Sequence, residues 1–257
     1  MSDGSAEAPV FRRVVVGFRD ASGSAAALEA TARLAQGLRA ELLGIFVEDL
    51  ALLEWSASPL TGQVARTTSA AAPFTPDRLA EEFARAATVS RQRLSRAAAR
   101  LGLTVRFRIE RASAVTLQVA AAEPGDLLVV VEPTDPMARL SYPFAELLRS
   151  IAGTSAPVLF MPRAVSLRHG PVVAVTRGSD RPARSLAAAL GEPLVSLAGP
   201  EQSLPLGHEA MSRLLQPLHE HLLVFDRPSL AAMGPLLFAE LATERRVPAL
   251  VVGETAP

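Results

Sequence analysis

The chain contains no cysteine. That removes disulfides, thiolate nucleophiles, Cys-ligated zinc and iron–sulfur clusters, and it makes a reducing cytoplasm the natural compartment. Lysine is missing as well, since all 26 basic side chains are arginine. A P-loop lysine, a Schiff-base lysine and a pyridoxal phosphate site are therefore excluded. With 26 acidic residues against the arginines the formal net charge is zero, so there is no global basic field to gather nucleic acid or an anionic membrane. No uninterrupted apolar run reaches the roughly 20 residues needed to span a bilayer, and no membrane insertion is expected. Residues 1–10 have neither the basic region nor the apolar stretch of a signal peptide and read as a disordered tail. What is present is 257 residues, 49% of them hydrophobic, enough for a packed core in one large domain or two small ones.

Val14 to Phe18 is an apolar run followed by a Ser/Gly turn. In the stretch from Ser24 to about Leu38, Leu28, Ala32, Ala35 and Leu38 share one helical face. Leu42 to Val47 reads as a second apolar strand, and strand–helix–strand succession predicts a parallel sheet with right-handed crossovers, hence an α/β fold. From Glu54 to Thr75 the pattern dissolves into Ser, Thr, Ala and Pro around the single tryptophan, Trp55. A connection of that length is usually functional or disordered. Thr75-Pro76-Asp77 signals a helix start and Gly102 its stop. Val105, Phe107 and Ile109 alternate with Arg106, Arg108 and Glu110, as in a strand at or near a sheet edge with one wet face. A short helix over 113–122 then leads into the buried strand 126–131. Phe144, Leu147, Leu148 and Ile151 form a helical stripe, and 157–161 closes a five-stranded unit.

The rest repeats this pattern in shortened form. Leu127-Leu128-Val129-Val130-Val131-Glu132-Pro133 is echoed by Leu222-Leu223-Val224-Phe225-Asp226-Arg227-Pro228. The strand and helix at 172–175 and 183–190 echo the first strand and helix, and 248–252 echoes 157–161. The second copy lacks roughly the long loop, the second helix and the third strand.

These features together resemble the universal stress protein family: the Ser-containing turn, the Ala-rich helix, the long loop, the basic helix and the Asp126-Leu127-Leu128-Val129-Val130 run. The resemblance covers residues 12–162, and 171–253 as a degenerate copy. It implies a doubly wound, Rossmann-like parallel sheet in two tandem units, 11–162 and 171–257, joined by a linker at 163–170. The units are expected to pair through their last strands as an intramolecular pseudo-dimer. The family's phosphate cradle is Gly-x-x-Gly, nine residues, then Gly-Ser or Gly-Thr. Here those positions hold Val131, Thr134, Phe144 and Ala145. ATP-binding members also end the first strand in Asp-Gly-Ser, where this chain has Arg19-Asp20-Ala21 and, in the second copy, Thr176 at the strand end.

Glycines let backbone N–H groups approach phosphate oxygens, and a β-branched Val131 is poor at positive φ. Phe144 shares the stripe of Leu147, Leu148 and Ile151, so its ring is expected to turn into the core beside the former phosphate site. The expectation is thus a non-catalytic regulatory or scaffolding module with no cofactor, an unidentified protein partner and room for homo-oligomerisation. The rival is a nucleotide binder with at most weak ATP hydrolysis, its non-standard pocket formed by Arg19, Asp20, Val47, Val131, Thr134, Phe144 and Ala145.

Other candidates have plainer readings. Ser90 to Arg111 holds seven arginines and one acidic residue. An anion or RNA patch would use Arg93, Arg96 and Arg100, but with no aromatic interleaved among those three a solvated helix and edge strand is the simpler account. His219-Glu220-His221 supplies metal-ligand types with no third ligand placed by spacing, so no metal is expected. Glu132 and Asp135 sit at a strand's C-terminal end, where ligands of open sheets bind, yet without a partner histidine they read as a rigid acidic loop.

Overall fold

The structure, a computed structural model, describes residues 10–20, 23–58, 62–64, 71–73, 75–112, 123, 125–135, 138, 142–166, 168–197 and 207–252. The expected helix over 113–122, and all but the last residue of the expected tail, lie outside these residues. In chain order the elements begin with β1 (Arg13–Phe18), α1 (Ala25–Gly37), β2 (Glu41–Asp49), α2 (Leu50–Ser56), β3 (Gly62–Val64) and β4 (Ala71–Pro73). Then follow α3 (Pro76–Ala99), β5 (Val105–Ala112), β6 (Asp126–Val131), α4 (Tyr142–Gly153) and β7 (Val158–Met161). The last part contains β8 (Val172–Val175), α5 (Arg181–Leu190), β9 (Leu194–Ser196), α6 (His208–Leu215), β10 (Leu222–Phe225), α7 (Arg227–Met233), α8 (Pro235–Arg245) and β11 (Ala249–Val251).

Nine strands make one sheet in the order β5-β2-β1-β6-β7-β11-β10-β8-β9. All its neighbours run parallel except β7 and β11, which are antiparallel. Period-two alternation divides the strand side chains between two cores. Val14, Val16, Phe46 and Leu127 join α1, α3 and α5 on one face, while Val15, Val130, Phe160 and Phe225 join α4, α6, α7 and α8 on the other. Because both faces are covered, the strands read as continuous apolar runs.

Helix starts follow the sequence signals. Ser24 accepts from Ala27 N–H at 3.3 Å to open α1, and Thr75, with Pro76 behind it, opens α3 by accepting from Arg78 N–H. α3 can lie close to the sheet because residue 44 is glycine: a Cβ there would stand 2.5 Å from the Phe107 ring and 2.7 Å from the Leu94 side chain. The alternating segment is an edge strand as expected, with Phe107 under the Arg91 guanidinium at 5.1 Å.

The segment 54–75 corrects the sequence reading. It is no featureless loop: Trp55 belongs to α2, capped by Asp49, and β3 and β4 form an antiparallel hairpin. The apolar periodicity of so short a helix is too brief to register, and neither three-residue strand carries β-branched alternation.

Register relates the two halves of the sheet. Val14 lies opposite Leu127 as Val172 lies opposite Leu222, and Leu128 lies opposite Val158 as Leu223 lies opposite Ala249. Leu159 and Leu250 are therefore counterparts, and they are paired with each other in the middle of the antiparallel contact. A local two-fold axis passes between them. Between the halves, Ser166 N–H donates to Arg246 O at 2.7 Å and Arg168 donates to the carbonyls of Glu220 and Arg245. Gly170 passes so close to the His219 carbonyl that a Cβ would stand 1.8 Å from its oxygen.

Candidate functional site

The strand order reverses between β1 and β6, the position where open α/β sheets form a ligand crevice at their C-terminal edge. A crevice is present there, holding about 650 Å³ counted out to its open mouth. The turn after β1 contributes Arg19, Asp20 and Gly23, the end of β6 contributes Val131 and Glu132, and α4 contributes Phe144 and Leu147. Phe144 is only 6% exposed and packs in the same core as Leu147, Leu148 and Ile151. Val131 is half-buried and packs against the core of the opposite face.

The seven candidate nucleotide contacts are thus split. Arg19, Asp20, Val131 and Phe144 line one crevice. Val47 does not: it is buried on the face of α4, lining a separate apolar cavity with Val15, Ile45 and Leu128. Thr134 is exposed, its carbonyl accepting from Arg163 at 3.3 Å, and Ala145 is half-buried on α4.

Glu132 corrects the acidic-loop reading. Its side chain is buried, and Oε2 accepts from Arg163 N–H at 3.0 Å and from the Thr243 hydroxyl at 3.3 Å. It reaches across the local two-fold axis to α8. Its counterpart Arg227 reaches the other way, donating to the carbonyls of Ile151 and Ala156 at the end of α4. Burial pushes the Arg227 guanidinium down from its ordinary pKa. The reciprocity was foreshadowed by the echo of Glu132-Pro133 in Arg227-Pro228.

At the second reversal point, between β8 and β10, the counterpart of Val131 is Asp226. Its Oδ2 accepts from Arg177 N–H at 2.8 Å and Gly178 N–H at 2.9 Å, and its Oδ1 accepts from Ser229 N–H at 2.9 Å. Sequence reasoning passed over this residue. The signal was there in Asp226-Arg227-Pro228-Ser229, an N-cap followed by an early proline.

Most of the remaining candidates resolve into local pairings, while Arg96 is exposed on α3. Arg106, Arg108 and Arg111 meet Glu41, Glu110 and Glu48, Arg100 approaches Glu29, and Arg93 donates to Gly23 O. Within His219-Glu220-His221 the buried Glu220 takes two hydrogen bonds from Arg245, at 2.7 and 2.9 Å, which raise the arginine's pKa, and His221 Nδ1 lies 2.7 Å from Arg168 O. Among the described residues no group of three or more His, Asp or Glu could hold a metal ion, and no helix is long and apolar enough to cross a membrane.

No family model matches the sequence, and no curated protein matches it. Solved structures do. A universal stress protein from Archaeoglobus fulgidus DSM 4304 superposes with a TM-score of 0.61 at 11% identity, over 96% of this chain and 100% of that one. A functionally unknown protein from Pseudomonas aeruginosa PAO1 superposes with a TM-score of 0.54 at 13% identity, over 94% and 92% of the two chains. A protein assigned to the universal stress proteins, from Pseudomonas aeruginosa UCBPP-PA14, gives 0.52 at 13% identity, over 94% and 93%. With a nine-stranded, mostly parallel sheet wound on both faces, this chain has the fold of the universal stress proteins.

Proposed function

We propose that the chain is a non-catalytic regulatory or scaffolding interaction module, built as two tandem units at 11–162 and 171–257, in which family-type ATP binding is lost. The observation that carries this reading is Phe144. A buried phenyl ring lines the crevice at the position where the family resemblance places a cradle glycine, and a ring offers neither the N–H approach nor the conformational freedom that a phosphate loop uses. Val131 at the strand end supports it, because a β-branched residue disfavours the positive φ of such loops. At the second reversal point the Arg177 and Gly178 N–H groups are taken by the Asp226 carboxylate, whose charge opposes a phosphate. Calorimetry of the purified chain with ATP, AMP and cyclic nucleotides tests the reading. The expected result is no dissociation constant tighter than about 100 μM; ATP co-purifying with the protein would overturn it.

One observation favours a second reading. The first crevice stays open to solvent, with Arg19 and Asp20 lining it. A nucleotide in a non-standard pose would then lie against these two side chains, and Arg19→Ala would weaken it in the same titration.

A further inference from the structure

We propose that the outer edge of β5 is a self-pairing surface, on which a second copy of this chain docks strand to strand about a two-fold axis at Ile109. An edge strand presents a row of unpaired N–H and C=O groups, and proteins blunt such edges by making them short, bulged, proline-bearing or charged. At the opposite end of the sheet β9 has only three residues. β5 has eight, contains no proline and pairs with β2 residue for residue from Val105 to Ala112, without a bulge. Among the described residues no strand lies beyond it, and no turn or loop backbone hydrogen bond reaches it.

Charge does not close this edge either. Arg106, Arg108 and Arg111 look like a repelling row, but each is already matched. Arg106 lies 3.8 Å from Glu41 and Arg111 2.7 Å from Glu48, both on β2, while Arg108 lies 2.6 Å from Glu110 on β5 itself. Between these pairs Ile109 is 45% exposed. A long, straight, neutralised edge with an uncovered β-branched side chain has the features that favour strand addition.

The strand's own sequence selects a copy of itself, in one register. Residues opposite each other in an antiparallel pair point to the same face, so a two-fold axis through a residue matches odd positions with odd and even with even. Centring on any charged residue of β5 sets it against itself, and centring on Phe107 sets Arg106 against Arg108. Centring on Ile109 avoids both. Ile109 then covers its own copy, Phe107 meets the stem of Arg111, and Arg108 meets Glu110 twice. The ion pair present in each strand becomes a ring of four alternating charges, and opposite charges facing across strands stabilise the pair. The inference rests on this edge alone and stands whether or not a nucleotide enters the first crevice.

Because the chain has no cysteine, Ile109→Cys places a single thiol on the proposed axis. Facing Cα atoms of an antiparallel pair stand about 4.5–5.5 Å apart, within the span of a disulfide. Mild oxidation is expected to convert Ile109→Cys into a covalent dimer, whereas Ala112→Cys, which would face Arg106 of the copy, stays monomeric. Equal cross-linking of the two would mean chance collision and sink the register. Sedimentation velocity supplies an arm without cysteines. The unmodified chain is expected to show a concentration-dependent monomer–dimer equilibrium, which Arg108→Glu or Glu110→Arg alone weakens by about tenfold or more. An equimolar mixture of these two variants should recover it, since each then faces the opposite charge. A chain that stays monomeric up to about 100 μM, as an edge kept for a different protein would, or a dimer indifferent to both reversals, would overturn the proposal.

Discussion

Phe144 is buried among Leu147, Leu148 and Ile151 while its ring also lines the crevice, so truncating it removes packing and obstruction together. Phe144→Ala is expected to cost about 3–5 kcal/mol in urea unfolding, and Phe144→Gly about 1 kcal/mol more through helix propensity. A neutral substitution would place the ring outside the core. Glu220 makes a different case. It is fully buried and holds Arg245, whose guanidinium also donates to the carbonyls of Leu215 and Leu218 at 2.8 and 2.9 Å. Removing the carboxylate leaves a part-buried cation without its counter-charge, so Glu220→Ala is expected to lose about 2–3 kcal/mol by the same measurement. A loss below about 1 kcal/mol would mean that Arg245 escapes to solvent. Phe144 was legible in the sequence because a stripe at helical spacing names its own neighbours. Glu220 was not. Its partner lies 25 positions away on another element, and between two histidines a carboxylate looks like a ligand.

β1, β2, β6 and β10 are legible as apolar runs because they are buried on both faces, and α3 because it carries a full set of start and stop signals, whereas the sequence reading names neither β9 nor α6, α7 and α8. Short elements such as α2 and the β3–β4 hairpin depend on tertiary contacts that local pattern does not record. The start of α5 shows how such a contact works. Asp180 precedes the helix, accepts from the Ser196 hydroxyl on β9 at 2.9 Å and pairs with Arg184. The Ser196 hydrogen bond, then the arginine, hold its carboxyl below the usual carboxylate range. A depressed folded pKa contributes stability that is present above the unfolded value of about 4 and is lost as pH falls through the folded value. The α5–β9 corner is therefore expected to loosen on acidification below about pH 4. Asp180→Asn should flatten that part of the pH–stability curve, by about 1 kcal/mol or less given its surface position. An acid limb identical in both proteins would remove Asp180 from the account.

The nine-stranded sheet joins both halves through one antiparallel contact, with Leu159 and Leu250 paired across the local axis. The backbone of that contact is close to symmetric, but its side chains are not. Glu132 and Arg227 are counterparts, yet Glu132 accepts from Thr243 on α8 whereas Arg227 donates to Ile151 O and Ala156 O at the end of α4. A helix C-terminus favours a cation and disfavours an anion. Were two copies of the first half to pair with each other, each Glu132 carboxylate would face the carbonyls that Arg227 now satisfies. This charge choice makes the halves complementary to each other and discourages the first from pairing with itself. Arg227→Glu recreates the disfavoured arrangement inside the intact chain, and Arg227→Met removes the donors without adding charge. Arg227→Glu is expected to lose about 3 kcal/mol or more, with the single calorimetric transition of a continuous sheet splitting in two as the halves uncouple. Arg227→Met should lose less and keep one transition. Equal losses for the two variants would mean that packing of the long side chain, and not its charge, sets the pairing.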